Sequence, residues 1–376
     1  MPVREMCGLL GSEAMERALE LACRGWGRVS PNPLVGAVVV KDGGIVGEGF
    51  HAELGGVHAE VAALAAAGEQ ARGGTMYVTL EPCRHHGRTG PCSEAIIEAG
   101  VRSVAYAVGD PAQGGGAADL RAAGIEVHGG LLATEAVRLM APFLWRALSG
   151  RPFVSLKLAL AADGAIAAGP GQRTPISGPE SWREVHRLRA GADAVLVGRR
   201  TVEADDPLLT PRGTPLPRVA PLRVVLDSEA RLDPSCALVR TAGDHAVLAI
   251  SAGDAPAVRL ARIRDAGVER AVVPRASNGH LDPGAVLRVL ADRGVQSVLI
   301  EGGASVAESF LAAGLVERYH EFIGPEPLGP GSVAGPLSAP PNDSGRWRLA
   351  SMTTTGIDMY RTWERIAAFD ELLVAA

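Results

Sequence analysis

Apolar positions recur at helical spacing in EAMERALELACRG (residues 13–25), where Met15, Ala18, Leu19 and Ala22 share a face and Gly25 ends the run. Two apolar runs then flank KDGG in PNPLVGAVVVKDGGIVGEGFH, which predicts a β-hairpin reaching to about Phe50. HAEVAALAAAG predicts a short helix that stops at Gly68. TMYVTL follows as a strand, CSEAIIEAG as a helix, VRSVAYAVG as a strand and DLRAAGIEVHGG as a helix-to-strand step. One more helix is expected over 134–149, and SGRPF (149–153) has the composition of a linker. The alternation then restarts with the strand FVSLKLALAADG, the helix SWREVHRLRAG and the strands DAVLVG, LRVVLD and HAVLAIS. PGAVLRVLADRG reads as a helix, VQSVLIEGG as a strand running into a glycine turn, ASVAESFLAAG as a helix, and 325–341 as a Pro/Gly-rich loop. Strands alternating with helices on both sides of the linker predict two different α/β domains, 1–149 and 150–376, with no internal repeat.

Composition narrows the class. At 376 residues the chain exceeds what one core usually serves, and 47% hydrophobic with 21% charged residues excludes a disordered protein. Aromatic residues are only 4%, so the cores must be built from Ala, Val and Leu. No apolar run is long enough to span a bilayer and none follows the first charges as a signal peptide would, so a cytoplasmic protein without a membrane partner is expected. A net charge of −5 without a basic block disfavours nucleic acid as a partner. The five cysteines (7, 23, 83, 92 and 236) are an odd set in a cytosolic setting, a poor disulfide framework.

The chemistry begins at EPCRHHGRTGPC (81–92), read together with HAE at His58–Glu60. One imidazole and two thiolates form a net-neutral zinc site that leaves a fourth tetrahedral position for water, and zinc lowers that water's pKa. Glu60 would carry its proton to the ring nitrogen and the leaving amine. This is the ligand pattern of zinc nucleobase deaminases. His58 and Glu60, two residues apart, reach a common point only if a helix starts near His58. Cys92 follows Pro91 at an expected helix start, where amide donors favour its thiolate. A Cys83–Cys92 disulfide is disfavoured by the compartment, and a structural zinc would take its fourth ligand from His85, His86 or a distant residue. Cys7, Cys23 and Cys236 default to packing.

HAEV, YVTLEPCRHHGRTGPC and PNPLVGAVVVKDGGIVGEGFH resemble the deaminase half of the bifunctional riboflavin-biosynthesis deaminase/reductase family. The resemblance implies a cytidine-deaminase-like αβα domain that hydrolytically removes the 2-amino group of a diaminopyrimidinone ribosylamine 5′-phosphate. His58, Cys83 and Cys92 match its ligands to one zinc ion and Glu60 its proton shuttle. Asn32 and His51 match pyrimidine-holding positions, and His85 and Arg88 positions facing the sugar phosphate, although a solvated basic loop is the plain alternative for those two. One departure is DPAQGGGAADL, where Ala112 replaces the expected Asn in a shortened loop. Its substrate contacts are in question, and the zinc chemistry is read as independent of it.

In the second half, the Gly-Gly turn of VLIEGGASVAESF could cradle a phosphate or be only a tight turn, and the acids of VEADDPLLTPR could belong to a polar loop. Together with KLALAADG, SWREVHRLRAGADAVLVGRRTV and RVVLDS they stand in the order of the family's reductase half. That resemblance implies a dihydrofolate-reductase-like α/β domain using NADPH to reduce the ribosyl group to ribityl, by hydride transfer to C1′. Ala159, Thr201, Asp205, Ser228 and the turn Gly303, Ala304, Ser305 towards Ser309 match cofactor positions. Arg189, Leu209, Arg212 and Glu301 match substrate positions, and guanidinium suits phosphate. Lys157 and Asp163 lie near the site, either functional or a lysine balanced by the aspartate. Family members read SKWIT or similar where this chain reads RTPIS; Pro175 stands for the Trp and Arg173 for a small polar residue, so nicotinamide packing is expected to differ. The implied partner is a small phosphorylated pyrimidine, and a homo-oligomer is compatible with the sequence. Rival readings are a tRNA- or nucleotide-editing deaminase whose C-terminal half is only a binding domain, disfavoured by the net negative charge and the reductase motifs, and a non-enzymatic scaffold with a structural zinc.

Overall fold

The computed structural model describes residues 9–85, 90–112, 114–337, 339–340 and 345–375. The chain divides into two compact units, Met1–Gly150 with Asp370–Ala376, and Arg151–Phe369.

The first unit is a five-stranded sheet in the order β2-β1-β3-β4-β5, formed by Gly36–Lys41 (β1), Gly44–Phe50 (β2), Thr75–Leu80 (β3), Ser103–Val108 (β4) and Glu126–Gly129 (β5). β1 pairs antiparallel with β2 and β3, whereas β3, β4 and β5 run parallel. Its helices are Leu9–Ala22 (α1), Ala59–Ala67 (α2), Cys92–Ala99 (α3), Ala117–Ala122 (α4) and Ala133–Ser149 (α5). Glycines set the layer spacing. A Cβ on Gly36 would collide with the Ala18 carbonyl of α1, and one on Gly47 or Gly49 with the Ala63 or Ala59 carbonyl of α2. Gly36 faces the same side as its partner Phe50, and Gly49 the opposite side, so α1 and α2 cover the two faces of an αβα sandwich.

The second unit is built on a nine-stranded sheet in the order β11-β10-β9-β8-β12-β6-β13-β16-β15. Along the chain lie β6 (Phe153–Leu160), β7 (Ala165–Ala167), α6 (Pro179–Ala190), β8 (Ala194–Gly198), α7 (Arg199–Asp205), β9 (Leu222–Leu226), α8 (Ala237–Arg240), β10 (Val247–Ala252) and α9 (Ala257–Asp265). β11 (Glu269–Val273), α10 (Pro283–Ala291), β12 (Ser297–Glu301), α11 (Ala304–Ala312), β13 (Arg318–Ile323), β14 (Val333–Ala334), β15 (Trp347–Thr355), β16 (Asp358–Arg365) and α12 (Ile366–Ala375) follow. The strands from β11 to β13 are parallel, and β16 and β15 close the sheet as an antiparallel ribbon. The core is Val, Leu, Ile and Ala with few rings, as the aromatic content required.

The ribbon was not among the elements expected from the sequence, yet it anchors α6. Gly178, the N-cap of α6, has no side chain to cap with. Asp358 at the start of β16 does so instead, accepting from the Gly178 amide at 2.7 Å and the Ser181 hydroxyl at 2.6 Å.

Gly49→Ala tests the layer contact. Overpacking costs about 1–3 kcal/mol, so its melting temperature should fall and its metal retention weaken as α2 is pushed outward. Gly44→Ala, whose Cβ meets only the Lys41 carbonyl at 3.8 Å, should match the wild type in both calorimetry and metal analysis.

Candidate deaminase and reductase sites

In the first unit, His58 is the N-cap of α2 and Glu60 lies in its first turn, while Cys92 is the first residue of α3 after Pro91. The two helix starts converge with the segment after β3. His58 Nδ1 lies 3.2 Å from Cys92 Sγ and 3.6 Å from Cys83 Sγ, and the three donor atoms lie within 4.8 Å of one another. With zinc–nitrogen and zinc–sulfur bonds of about 2.0 and 2.3 Å, a tetrahedron needs N···S separations of about 3.5 Å, so the donor set fits zinc. Both cysteines are free and buried, and no disulfide joins them.

Burial pushes the Glu60 carboxyl above the ordinary carboxylate range, with the His58 charge pulling the other way. Hydrogen bonding from the Cys92 thiol holds Cys83 ionised down to about 4, while Cys92 is pushed up and keeps its proton. The Cys83 thiolate in turn raises the His58 imidazole. A metal cation displaces these shared protons. The amide at the start of α3 points differently from expectation. Cys92 N–H donates to Cys83 Sγ at 3.4 Å, so the helix start favours the Cys83 thiolate rather than that of Cys92.

The loop carrying Ala112 also matters more than expected. Gly116 N–H donates to the Pro82 carbonyl at 2.7 Å, Ala117 N–H to Glu81 Oε1 at 2.9 Å, and Gly115 bridges Cys83. The Glu81 side chain fills the space a Cβ on Gly115 would need. The GGG run therefore holds the Cys83 segment in place, which the sequence reading had treated as independent of that loop.

Around the triad a pocket of about 640 Å³, counting its open mouth, is lined by Asn32, His51, Glu60, His85, Ala112 and Phe143 among others. His51 Nδ1 donates to the Val57 carbonyl at 3.1 Å, which leaves Nε2 to accept from Asn32 Nδ2 at 3.1 Å. Burial lowers the His51 pKa and keeps the ring neutral. The Asn32 carbonyl oxygen is thereby turned to accept from a ligand N–H. Phe143, on α5, is not singled out by the sequence; with Trp145 two residues further on, nothing in the helix pattern marks it as facing the pocket. Arg88 lies outside the described residues.

In the second unit the expected cofactor residues gather at the carboxyl ends of four adjacent parallel strands. Ser228 follows β9, Thr201 follows β8, Gly303–Ser305 follow β12, and Ala159 is next to last in β6. Open α/β sheets bind ligands at that edge. Gly302 and Gly303 have φ of 78° and 82°, and a Cβ on Gly303 would stand 3.1 Å from Thr201 Oγ1, so the turn packs on α7. Asp205 ends α7, its carboxyl raised by burial and drawn down by Arg173 and Lys157.

Arg189 and Glu301 pair with each other. Nε and Nη2 donate to the two carboxylate oxygens at 2.5 and 2.8 Å, and Nη1 donates to the Thr210 carbonyl at 3.3 Å. Burial alone would raise Glu301, but the Arg189 and Lys157 charges hold it below the usual range. The Arg189 fork is thus taken, whereas Arg212 is exposed. Leu209 has φ of 57° and a side chain sunk in the core, so only its backbone can meet a ligand. Lys157 is the register partner of Glu301 and burial lowers its pKa. Asp163 is not its partner; it accepts from the amides of Leu328 and Gly329 at 3.0 and 2.8 Å.

Residues 11–108 match the cytidine and deoxycytidylate deaminase zinc-binding region, and residues 152–360 match the RibD C-terminal domain. The chain is 41% identical to the riboflavin biosynthesis protein RibD of Escherichia coli over 334 residues, covering 84% of this chain and 88% of that protein. Against RibD of Actinobacillus pleuropneumoniae the identity is 40% over 327 residues, with 86% of each chain covered. Acinetobacter baumannii RibD superposes with a TM-score of 0.80 at 34% identity, over 95% of this chain and 99% of that one. A diaminohydroxyphosphoribosylaminopyrimidine deaminase/5-amino-6-(5-phosphoribosylamino)uracil reductase from Thermotoga maritima gives 0.79, with the same identity and coverage. Among the described residues no helix is long and apolar enough to cross a membrane. Sequence, fold and the two sites agree: the chain belongs to the RibD family of riboflavin-biosynthesis proteins, which join a zinc deaminase to a reductase.

Proposed function

We propose that this chain hydrolytically deaminates 2,5-diamino-6-(5-phosphoribosylamino)pyrimidin-4-one and then reduces the ribosyl group of the product to ribityl with NADPH. The observation that carries the reading is the His58–Cys83–Cys92 donor set at zinc spacing, with His58 and Cys83 lining one pocket together with the buried Glu60, Asn32 and His51. When bound there, zinc makes hydroxide available at neutral pH. Glu60, buried beside the donor set, takes the water's proton and passes it to the ring nitrogen and then to the departing amine. Asn32, oriented through His51, accepts from the pyrimidine edge. His85 lines the same pocket and is the residue offered to the sugar phosphate.

For the second step, NADPH supplies the hydride when bound against Ala159, Thr201, Asp205, Ser228 and the Gly303–Ser305 turn. Glu301, kept ionised by Arg189, orders the sugar hydroxyls. Arg212 takes the phosphate, since its guanidinium is exposed and that of Arg189 is committed to Glu301. The partner is this small phosphorylated pyrimidine, and a cytoplasmic setting suits the reduced cysteine ligands.

Zinc-loaded protein should release ammonia from the diaminopyrimidinone and then oxidise NADPH; intact zinc-loaded protein that does neither would defeat the proposal. Glu60→Gln should lower ammonia release by about 10²–10⁴-fold, keep its zinc by metal analysis, and reduce the deaminated intermediate at the wild-type rate. Chelation of the zinc should likewise stop ammonia release and spare the reductase. Arg212→Gln should raise KM for the deaminated intermediate about tenfold or more, the scale of a lost charge-assisted phosphate contact. Glu301→Ala, which strands a buried arginine, should cost about 3–5 kcal/mol in urea unfolding as well as reductase activity.

A further inference from the structure

Trp182 is 40% exposed, so part of the indole meets solvent. It lies on α6 with His186 and Arg189 at i, i+4 and i+7, so the three share one helical face. The Trp182 and His186 rings are 6.4 Å apart at 40°. Lys157 Nζ lies 5.5 Å from the indole centroid and 5.8 Å from that of Phe322, which puts the ammonium between two rings. Phe322 is itself backed by Tyr360, stacked at 4.4 Å and 5°.

Strand register explains why these groups meet. Glu301 of β12, Lys157 of β6 and His320 of β13 are cross-strand partners, and Phe322 lies two residues beyond His320 on the same face. α6 covers that face through Val185 and Leu188 packed on Leu299 and Phe322. The indole thus borders the Lys157–Glu301–Arg189 cluster while keeping part of its surface in solvent. After burial, the charges of Arg189, Arg212 and Glu301, all assigned to substrate, act on His186, while Lys157 beside the indole also feels Asp205.

We infer that Trp182, with His186 beside it, is the stacking wall for the pyrimidine ring of the deaminated intermediate in the reductase site, and so a substrate-binding residue. A flat heterocycle laid on the exposed indole would leave its ribosyl arm to reach Glu301 and its phosphate to reach Arg212. Stacking does not depend on which edge groups the ring carries. Discrimination against the undeaminated ring must then come from polar neighbours, and Trp182 supplies ring affinity.

This role rests on the reductase reading above, and steady-state kinetics separate the two. Full-length, zinc-loaded wild type, W182A and W182F are compared for NADPH oxidation on the deaminated pyrimidine. W182A should raise the pyrimidine KM about five- to hundredfold, the size of one lost base–aromatic stack, with NADPH KM, kcat, melting temperature and ammonia release near wild type. W182F, which keeps a ring, should recover most of the loss. A rise in NADPH KM with the pyrimidine KM unmoved would overturn the inference and put the nicotinamide on the indole instead. No change in either KM would also overturn it, as would equal damage in both variants with a lowered melting temperature, which marks a purely structural residue. Wild type that fails to oxidise NADPH at all sinks the reductase reading itself.

Discussion

Direct backbone contact between β2 and α2 is the constraint on which the deaminase half rests. Gly47 and Gly49 leave no side chain between strand and helix, so the helix carbonyls sit where Cβ atoms would stand. That depth brings the start of α2, and with it His58 and Glu60, down to the level of the β3–α3 segment that carries Cys83 and Cys92. Were the layer spaced by ordinary side chains, at roughly the 10 Å of common packing, the imidazole and the sulfurs could not share one small ion. A helix start is also the one part of a helix whose successive residues can face a common point, and two such starts meet here.

In the reductase half the corresponding element is a buried charge cluster. Arg189, Glu301 and Lys157 are nearly removed from water, and desolvation penalises each of them. Such a cluster is tolerated when its members satisfy one another, and it is weak evidence for stability in its own right. Its value lies in placement: the bidentate pair fixes the carboxylate at the ligand-binding edge of the sheet. The helix carrying Arg189 is held in turn by Asp358, 180 residues from the Gly178 amide it accepts. A surface ribbon at the sheet's edge thereby reaches the chemistry without touching it.

Much of this could be read from residue order alone. The two α/β halves, nearly all of the strands and helices around the first site, and the donor set of His58, Cys83 and Cys92 with Glu60 beside it follow from period and from the coordination chemistry of imidazole and thiolate. Such signals are local: an amphipathic period or a Cys-bearing turn is written within a dozen residues. The β15–β16 ribbon escaped because most of β15 is exposed and lacks a clean buried face. Phe143, Trp182 and His186 escaped because an aromatic or a histidine on a helix looks the same whether it faces a core or a ligand.

Sequence by itself determined the fold class, the residue types of the zinc site and the strand ends where a cofactor could bind. Only the tertiary structure decided which sulfur takes the amide at the start of α3, that the GGG loop braces the Cys83 segment, that Arg189 is committed to Glu301, and that Asp163 turns away from Lys157. The reason is physical. Hydrogen bonds and charge pairs depend on distances of a few ångströms between segments far apart in the chain, and those distances are set by how layers pack, which no local pattern encodes.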